Sequence, residues 1–264
     1  MPGSEQEQQV QIYEAELNQL MRSQHRDPLL RHLTQTTVAL ARAWTGSPAG
    51  CATLDIGCGL GRSTLALAAS GYPVIGVDPS ARAIALASLA ARRSGSLGGR
   101  ASFLVGDATE APPESWRAAF DLAVCSEVLE HVEAPERVLD YARTILRPKG
   151  ILILTTPHDR RQWTAMDDYA GHVTRFSATE LERLLADFDL LDLSTEGFPF
   201  QRSVMRAYDR SLRRSGAEHR FDRFGDSPAY RAYIGLMPTL LGVDHRFRRW
   251  MRGTTLVAVA RKLG

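Results

Sequence analysis

The sequence predicts an α/β protein: a parallel β-sheet covered by helices on both faces. Three observations predict it. Short apolar runs alternate with helical segments from Ala52 onward, the signature of strands joined by crossover helices. The run Ile151-Leu152-Ile153-Leu154 is continuously apolar, as in a strand buried on both sides. The stretch Leu54-Asp55-Ile56-Gly57-Cys58-Gly59-Leu60-Gly61-Arg62 reads as a strand, a glycine-rich turn and the start of a helix.

The elements follow in order. Residues 5–24 carry apolar side chains at Tyr13, Leu17, Leu20 and Met21, a helical period. A second helix follows Asp27-Pro28, with Leu29, Leu33, Val38, Ala41 and Trp44 expected inward, and ends in Gly46 to Gly50. Strands are expected at 52–56, 73–78, 101–105, 120–125 and 150–155, with Leu190 to Ser194 sixth and Thr255 to Ala260 seventh. Helices are expected near 61–70, 80–93, 135–146 and 178–187. The segment 197–253 is too long for a structureless loop in a compact domain and reads as a helical insertion over the site. It is rich in arginine (Arg202, Arg206, Arg210, Arg213, Arg214, Arg220, Arg223), with interleaved aromatics such as Phe221 and Trp250. It is either a solvated basic face or a surface selecting an anionic or lipid-like partner. The whole is expected to be one domain over 1–264: N-terminal helices 1–46, either packing at the edge of the sheet or forming a helical lid, core 51–196, cap 197–253, final strand 254–262.

Composition narrows the classes. A formal charge of +2 over 264 residues argues against nucleic acid as a partner. Cys51, Cys58 and Cys125 are too few and scattered for a disulfide framework or a zinc cluster. The polar N-terminus lacks a secretory pattern and no apolar run reaches membrane-span length, so a soluble cytoplasmic protein is expected. The oligomeric state is not legible.

The glycine turn fails the dinucleotide fingerprint G-x-G-x-x-G, because Arg62 or Thr64 occupies the third position, and it lacks the Walker lysine. The remaining pattern, D-x-G-x-G-x-G, resembles the first motif of the class I S-adenosylmethionine-dependent methyltransferases. The resemblance narrows to their ubiquinone-biosynthesis-like, type 11 branch. Val74-Ile75-Gly76-Val77-Asp78-Pro79-Ser80, Phe103 to Ala108, Phe120 to Val132 and Leu146 to Pro157 resemble the later motifs, in order. The likeness covers roughly residues 50–195 and implies a Rossmann-like sheet of seven strands. The seventh is then antiparallel and lies beside the fifth.

It also implies S-adenosylmethionine as cofactor and a small-molecule acceptor. O-methylation of a hydroxyl or carboxyl in lipid, quinone or secondary metabolism is the expected reaction. N- or C-methylation, or a non-catalytic scaffold of the same fold, stays open. Asp78 closes the second strand, where a carboxylate can accept both ribose hydroxyls. By resemblance Asp107 accepts from the adenine amino group beside Ala108. Asp55 orients the glycine loop or the cofactor's ammonium, while Gly57, Gly59 and Gly61 let backbone approach it. Pro79, Cys125 and Glu127 complete the expected cofactor set.

Glu127, Glu130 and His131 stand at i, i+3 and i+4, one face of a helical turn just past the fourth strand. They suggest a general base, His131 assisted by Glu130, or a divalent cation such as Mg2+ held by all three. His158, at the end of the fifth strand, is a further catalytic candidate. Tyr169 and His172 are candidate substrate contacts in a segment resembling the family's H-x-R-x-[FY]-[ST]. Ser177 with Glu180 forms a capping box there.

Overall fold

The computed structural model describes residues 27–95, 99–215 and 228–264, so the helix expected over 5–24 lies outside the described residues. Seven strands form one sheet in the order β3-β2-β1-β4-β5-β7-β6. They are β1 Thr53–Ile56, β2 Val74–Asp78, β3 Ala101–Val105, β4 Phe120–Ser126, β5 Leu146–Pro157, β6 Phe188–Glu196 and β7 Thr255–Lys262. β1 pairs in parallel with β2 and with β4, and β7 is antiparallel to both β5 and β6. The Rossmann-like sheet with an antiparallel last strand is therefore present. β6 starts two residues earlier than expected, at Phe188, and the preceding helix ends at Leu184.

Alternation along the central strands sends side chains to two cores. Leu54, Ile56, Ala123, Cys125, Leu152 and Leu154 face one side. There they meet α4 (Pro135–Ile145) and α6 (Ala178–Leu184) through Val138, Ala142, Ile145 and Leu181. Leu122, Val124, Ile151 and Ile153 face the other side, against Ala41 of α1 (Pro28–Thr45) and Leu67 and Ala68 of α2 (Arg62–Ala69). α3 (Ala81–Arg93) packs beside α2 through Leu86, Ala90 and Leu65. Each buried aliphatic contributes about 1.5–3 kcal/mol, so this two-sided burial dominates the sheet's stability.

α1 starts at Asp27, whose side chain accepts the Leu30 N–H at 2.9 Å, with Pro28 in the first turn. Leu33 and Ala41 are buried as expected, but Trp44 is 37 % exposed. The buried stripe instead includes Thr36 and Thr37, and the Thr37 hydroxyl donates to the Leu33 carbonyl at 3.0 Å. A threonine whose hydroxyl is returned to its own helix is cheap to bury, which a hydrophobic-periodicity reading overlooks.

Within the insertion, α7 (Phe200–Ser215) and α8 (Pro228–Asp244) are followed by a 3-10 turn, His245–Trp250. Asp244 is 1 % exposed and accepts the N–H groups of Phe200 and Gln201, both at 2.9 Å. The end of α8 thus caps the start of α7. α7 meets α5 (Ala165–Ala170) where Asp209 accepts the Ala165 N–H at 3.1 Å. Arg220, Arg223 and Phe221 lie outside the described residues.

Gly76 in β2 has no room for a side chain. An added Cβ would lie 2.8 Å from both Cys58 Sγ and Thr64 Oγ1 and 2.9 Å from the Phe103 ring. Gly76→Ala is expected to destabilise the protein by about 1–3 kcal/mol, measured by urea unfolding with circular dichroism.

Candidate active site

The chain order reverses between β1 and β4, and in such sheets ligands sit at the carboxyl edge beside that point. Gly57, Gly59 and Gly61 turn the chain there with φ of 65°, 51° and 80°. Cβ atoms added at Gly57 and Gly61 would strike Val128 at 2.5 Å and Phe103 at 2.7 Å. At Gly59 nothing lies within 4 Å, so the middle of the loop faces open space.

The loop is tied down by carboxylates. Asp78 accepts the Gly59 N–H on Oδ2 and the Ser80 N–H on Oδ1, both at 2.9 Å. Each oxygen keeps a second lone pair. The exposed Asp107 accepts both the Thr109 N–H and hydroxyl on Oδ1, at 2.8 and 2.7 Å. Asp55, 2 % exposed, faces α2 and accepts the Thr64 hydroxyl at 2.6 Å. Burial pushes its pKa up to about 6, against the lowering effect of Thr64 and Arg62. Arg62 was not singled out by the sequence reading except as an obstacle to the dinucleotide pattern. Burial lowers its pKa while the charges of Glu127, Asp27 and Asp55 support it, and its Nε has no hydrogen-bond partner. A glycine loop open at its centre, a guanidinium whose Nε lacks a partner and two carboxylates with spare lone pairs fit S-adenosylmethionine. Ala108 is buried and Pro79 exposed at the same edge. The Cys125 side chain is wholly buried in the core, because its strand position points away from the edge, so only its main chain is left for a ligand.

Past β4 the expected helical face is absent. Glu127 has φ of 56° and only Leu129–His131 forms a 3-10 turn, so Glu127, Glu130 and His131 do not line up. Glu127 turns to Thr155, accepting its hydroxyl at 2.9 Å. The group of metal-type donors that does converge is Glu130, His131 and His172, within 4.8 Å of one another, with His172 in the place expected for Glu127. Glu130 is 0 % exposed; its Oε2 accepts the Thr156 hydroxyl at 3.0 Å and its Oε1 has no partner. Burial, then the neighbouring Glu127 charge, raises its pKa well above the carboxylate range, and burial also raises that of Glu127. Both effects favour the protonated form of Glu130. The His131 and His172 rings meet edge to face at 4.8 Å. Desolvation of the protein-facing side of His131, then the His172 charge, lowers the His131 pKa.

Behind them lies a network the residue-by-residue reading did not assemble. Asp167, 0 % exposed, accepts from His172 Nδ1 at 2.8 Å and from Arg175 Nε and Nη2 at 2.6 and 2.9 Å. It also closes a capping box with Thr164, the signal Thr-x-x-Asp that could have exposed it. Burial opposes its charge, but the bonds from His172 and Arg175 outweigh this and hold the carboxyl well below its usual range. Tyr169, on the same helix, is 59 % exposed. The His158 carbonyl joins this network, accepting from Arg175 Nη1 at 3.2 Å, while the buried ring turns elsewhere and its Nδ1–H donates to the Gly253 carbonyl at 3.0 Å. Ser177 and Glu180 form the expected capping box.

An open cleft of about 660 Å³ is lined by Val132, Trp163, Val173, Phe176, Glu133 and Arg160, among others. Val132 and Val173 directly follow His131 and His172 in the chain.

The sheet order and the loop with its two flanking aspartates define a class I S-adenosylmethionine-dependent methyltransferase core. The chain belongs to the methyltransferase domain family, which matches residues 24–195. It is 31 % identical over 103 residues to a ubiquinone biosynthesis O-methyltransferase of Histophilus somni, covering 39 % of this chain and 43 % of that protein. The mitochondrial ubiquinone biosynthesis O-methyltransferase of Mus musculus is 38 % identical over 112 residues, 42 % of this chain and 30 % of that one. The matches thus span less than half the length of these relatives. Among solved structures, the [4+2]-cyclase SpnF aligns with a TM-score of 0.59 at 24 % identity, over 87 % of this chain and 81 % of the other. This likeness shows the fold alone. Among the described residues, no helix is long and apolar enough to cross a membrane.

Two carboxyls should leave opposite marks on stability. Asp167 protonates in the unfolded chain near pH 3.9 but resists it when folded, so its stabilisation is complete above that pH and lost below it. Asp55 binds its proton more tightly folded, so its contribution is full below about pH 3.9 and lost as pH rises through about 6. Unfolding free energies measured across pH should show a flatter acid limb in Asp167→Asn and a flatter slope between about pH 4 and 6 in Asp55→Asn. Asp167→Asn should also cost about 3–5 kcal/mol near neutrality, since it leaves the Arg175 guanidinium buried and unpaired.

Proposed function

We propose that this chain methylates the oxygen of a hydroxyl or carboxyl on a small-molecule acceptor. The observation that carries this reading is the edge-to-face contact of the His131 and His172 rings at 4.8 Å, with Asp167 holding His172 through Nδ1. The ubiquinone biosynthesis O-methyltransferases that match part of the chain support the same chemistry. Bound there, S-adenosylmethionine supplies a methyl carbon activated by its sulfonium and open to in-line displacement.

The chain's own residues do the rest. Asp78 accepts the ribose hydroxyls on its spare lone pairs, Asp107 accepts the adenine amino group, and Arg62 Nε meets the methionine carboxylate. Asp55 acts through Thr64, setting the helix that follows the loop. His131 is the exposed ring with a lowered pKa, neutral at pH 7, and accepts the acceptor's proton as bond formation proceeds. Asp167 fixes His172 through Nδ1, and His172 in turn seats the His131 ring, so both are positioning residues. The apolar lining of the adjoining cleft, with Arg160 at its side, suits an apolar acceptor that bears an anionic group. Tyr169, exposed on α5, is a further acceptor contact in this reading. The buried His158 is structural in this reading.

A second reading is favoured by one atom, the buried and unpartnered Oε1 of Glu130. Glu130, His131 and His172 would hold a divalent cation that polarises the acceptor oxygen. It would first displace the Glu130 proton, so affinity for it would rise with pH.

Calorimetry with S-adenosylhomocysteine tests the cofactor roles. Asp78→Ala should weaken binding at least about ten-fold, one ion-assisted hydrogen bond or more; unchanged affinity would remove Asp78 from the site, and no binding to the unaltered chain would favour a scaffold. His131→Ala should lower kcat by about 10²–10⁴ while leaving that affinity intact. With His131 as base, kcat rises with pH through a value below the ordinary histidine pKa and is flat above it. Loss of all activity on chelation, restored by Mg2+, would select the cation reading.

A further inference from the structure

A second constellation lies three strands away from β4 along the same edge. β6 runs parallel to β5, since β7 is antiparallel to both, so Glu196 at the end of β6 sits at the carboxyl edge. Its side chain is 1 % exposed and meets two histidines from separate elements. His32 Nε2, from α1, is 2.9 Å from Oε2, and His245 Nδ1, from the 3-10 turn after α8, is 2.7 Å from Oε1. The three donor groups lie within 4.8 Å of one another. Among the described residues, these imidazoles are the ion-pair partners of Glu196, with no arginine or lysine.

We propose that His32, Glu196 and His245 bind one divalent transition-metal ion of the zinc type, which fastens α1 and the insertion to the end of β6. Two imidazoles and a carboxylate are the borderline donors that zinc and cobalt take, and three protein ligands leave a fourth position for water. The Glu196 carboxylate faces both rings, one on each of its oxygens. Its backbone is held as well: the Glu196 carbonyl accepts the Thr254 N–H at 2.7 Å and the residue pairs with Thr255. The rings stand edge to face with centroids 5.9 Å apart, so neither stacks over the other's donor nitrogen. Metal–donor bonds of about 2.0–2.1 Å place ligand atoms about 3.3 Å apart. The 2.9 and 2.7 Å contacts, made to different oxygens of the carboxylate, open by a few tenths of an ångström as the shared protons leave. The widest separation in the group, within 4.8 Å, closes by up to about 1.5 Å through side-chain rotation.

The site requires nothing of the methyl-transfer reading, and its test reads neither activity nor cofactor. Metal-free full-length chain is titrated with CoCl2, following visible d–d absorption, and melting temperature is recorded with ZnCl2. His131→Ala/His172→Ala, lacking the other donor group, should keep an intense four-coordinate cobalt band that Zn2+ bleaches, and a zinc-dependent rise in Tm. His245→Ala, which alters a side chain 42 % exposed, should weaken cobalt binding at least about ten-fold and abolish that rise, with an unchanged far-ultraviolet spectrum. Glu196→Gln should behave likewise. A chain that binds no cobalt, or whose cobalt band survives His245→Ala and vanishes in the His131→Ala/His172→Ala pair, overturns the proposal. The three residues would then be a hydrogen-bonded tie.

Discussion

The Gly59 N–H donating to Asp78 at 2.9 Å is the contact on which the cofactor edge depends. It joins the turn after β1 to the tip of β2, so loop conformation and sheet register cannot vary independently. The rest of the loop is pressed from below. Gly76 admits no side chain beneath Cys58 and Thr64, and Gly61 admits none beside Phe103. An irregular turn with three left-handed residues is thereby held in one conformation before any ligand arrives. Such preorganisation spares the cost of ordering the loop on binding.

Around that edge, carboxyls of the same chemistry meet opposite fates. Asp167 is buried beside a bidentate guanidinium and an imidazole, and stays ionised. Glu130 is buried beside another acid with a single hydroxyl donor, and its pKa is driven upward. Burial penalises both charges, so the hydrogen-bond partners decide. The same rule sets Glu196, where two imidazoles outweigh desolvation. A buried charge thus fixes the orientation of His172.

Local pattern carried much of this. The glycine spacing, the acidic tips of β2 and β3 and the apolar run of β5 lie within short windows, and the structure puts them where those windows imply. Residue spacing misled where it assumed regular helix: a left-handed Glu127 broke the i, i+4 relation that would have joined it to His131. Hydrophobic periodicity misled at Trp44 because threonines that bond their own helix fill the buried stripe.

The sequence by itself determined the sheet, its helical layers, the glycine turn and Asp78 at the tip of β2, because backbone propensity and alternation act over a few residues, while Asp107 was singled out by family resemblance. Only the tertiary structure decided which side chains meet across long separations. His172 reaches Glu130 through the turn after α5, and Glu196 meets His32 across 164 positions. Those pairings depend on how α1, α5 and the insertion dock on the finished sheet. Docking is set by packing and desolvation summed over the whole fold, and no short stretch of chain encodes it.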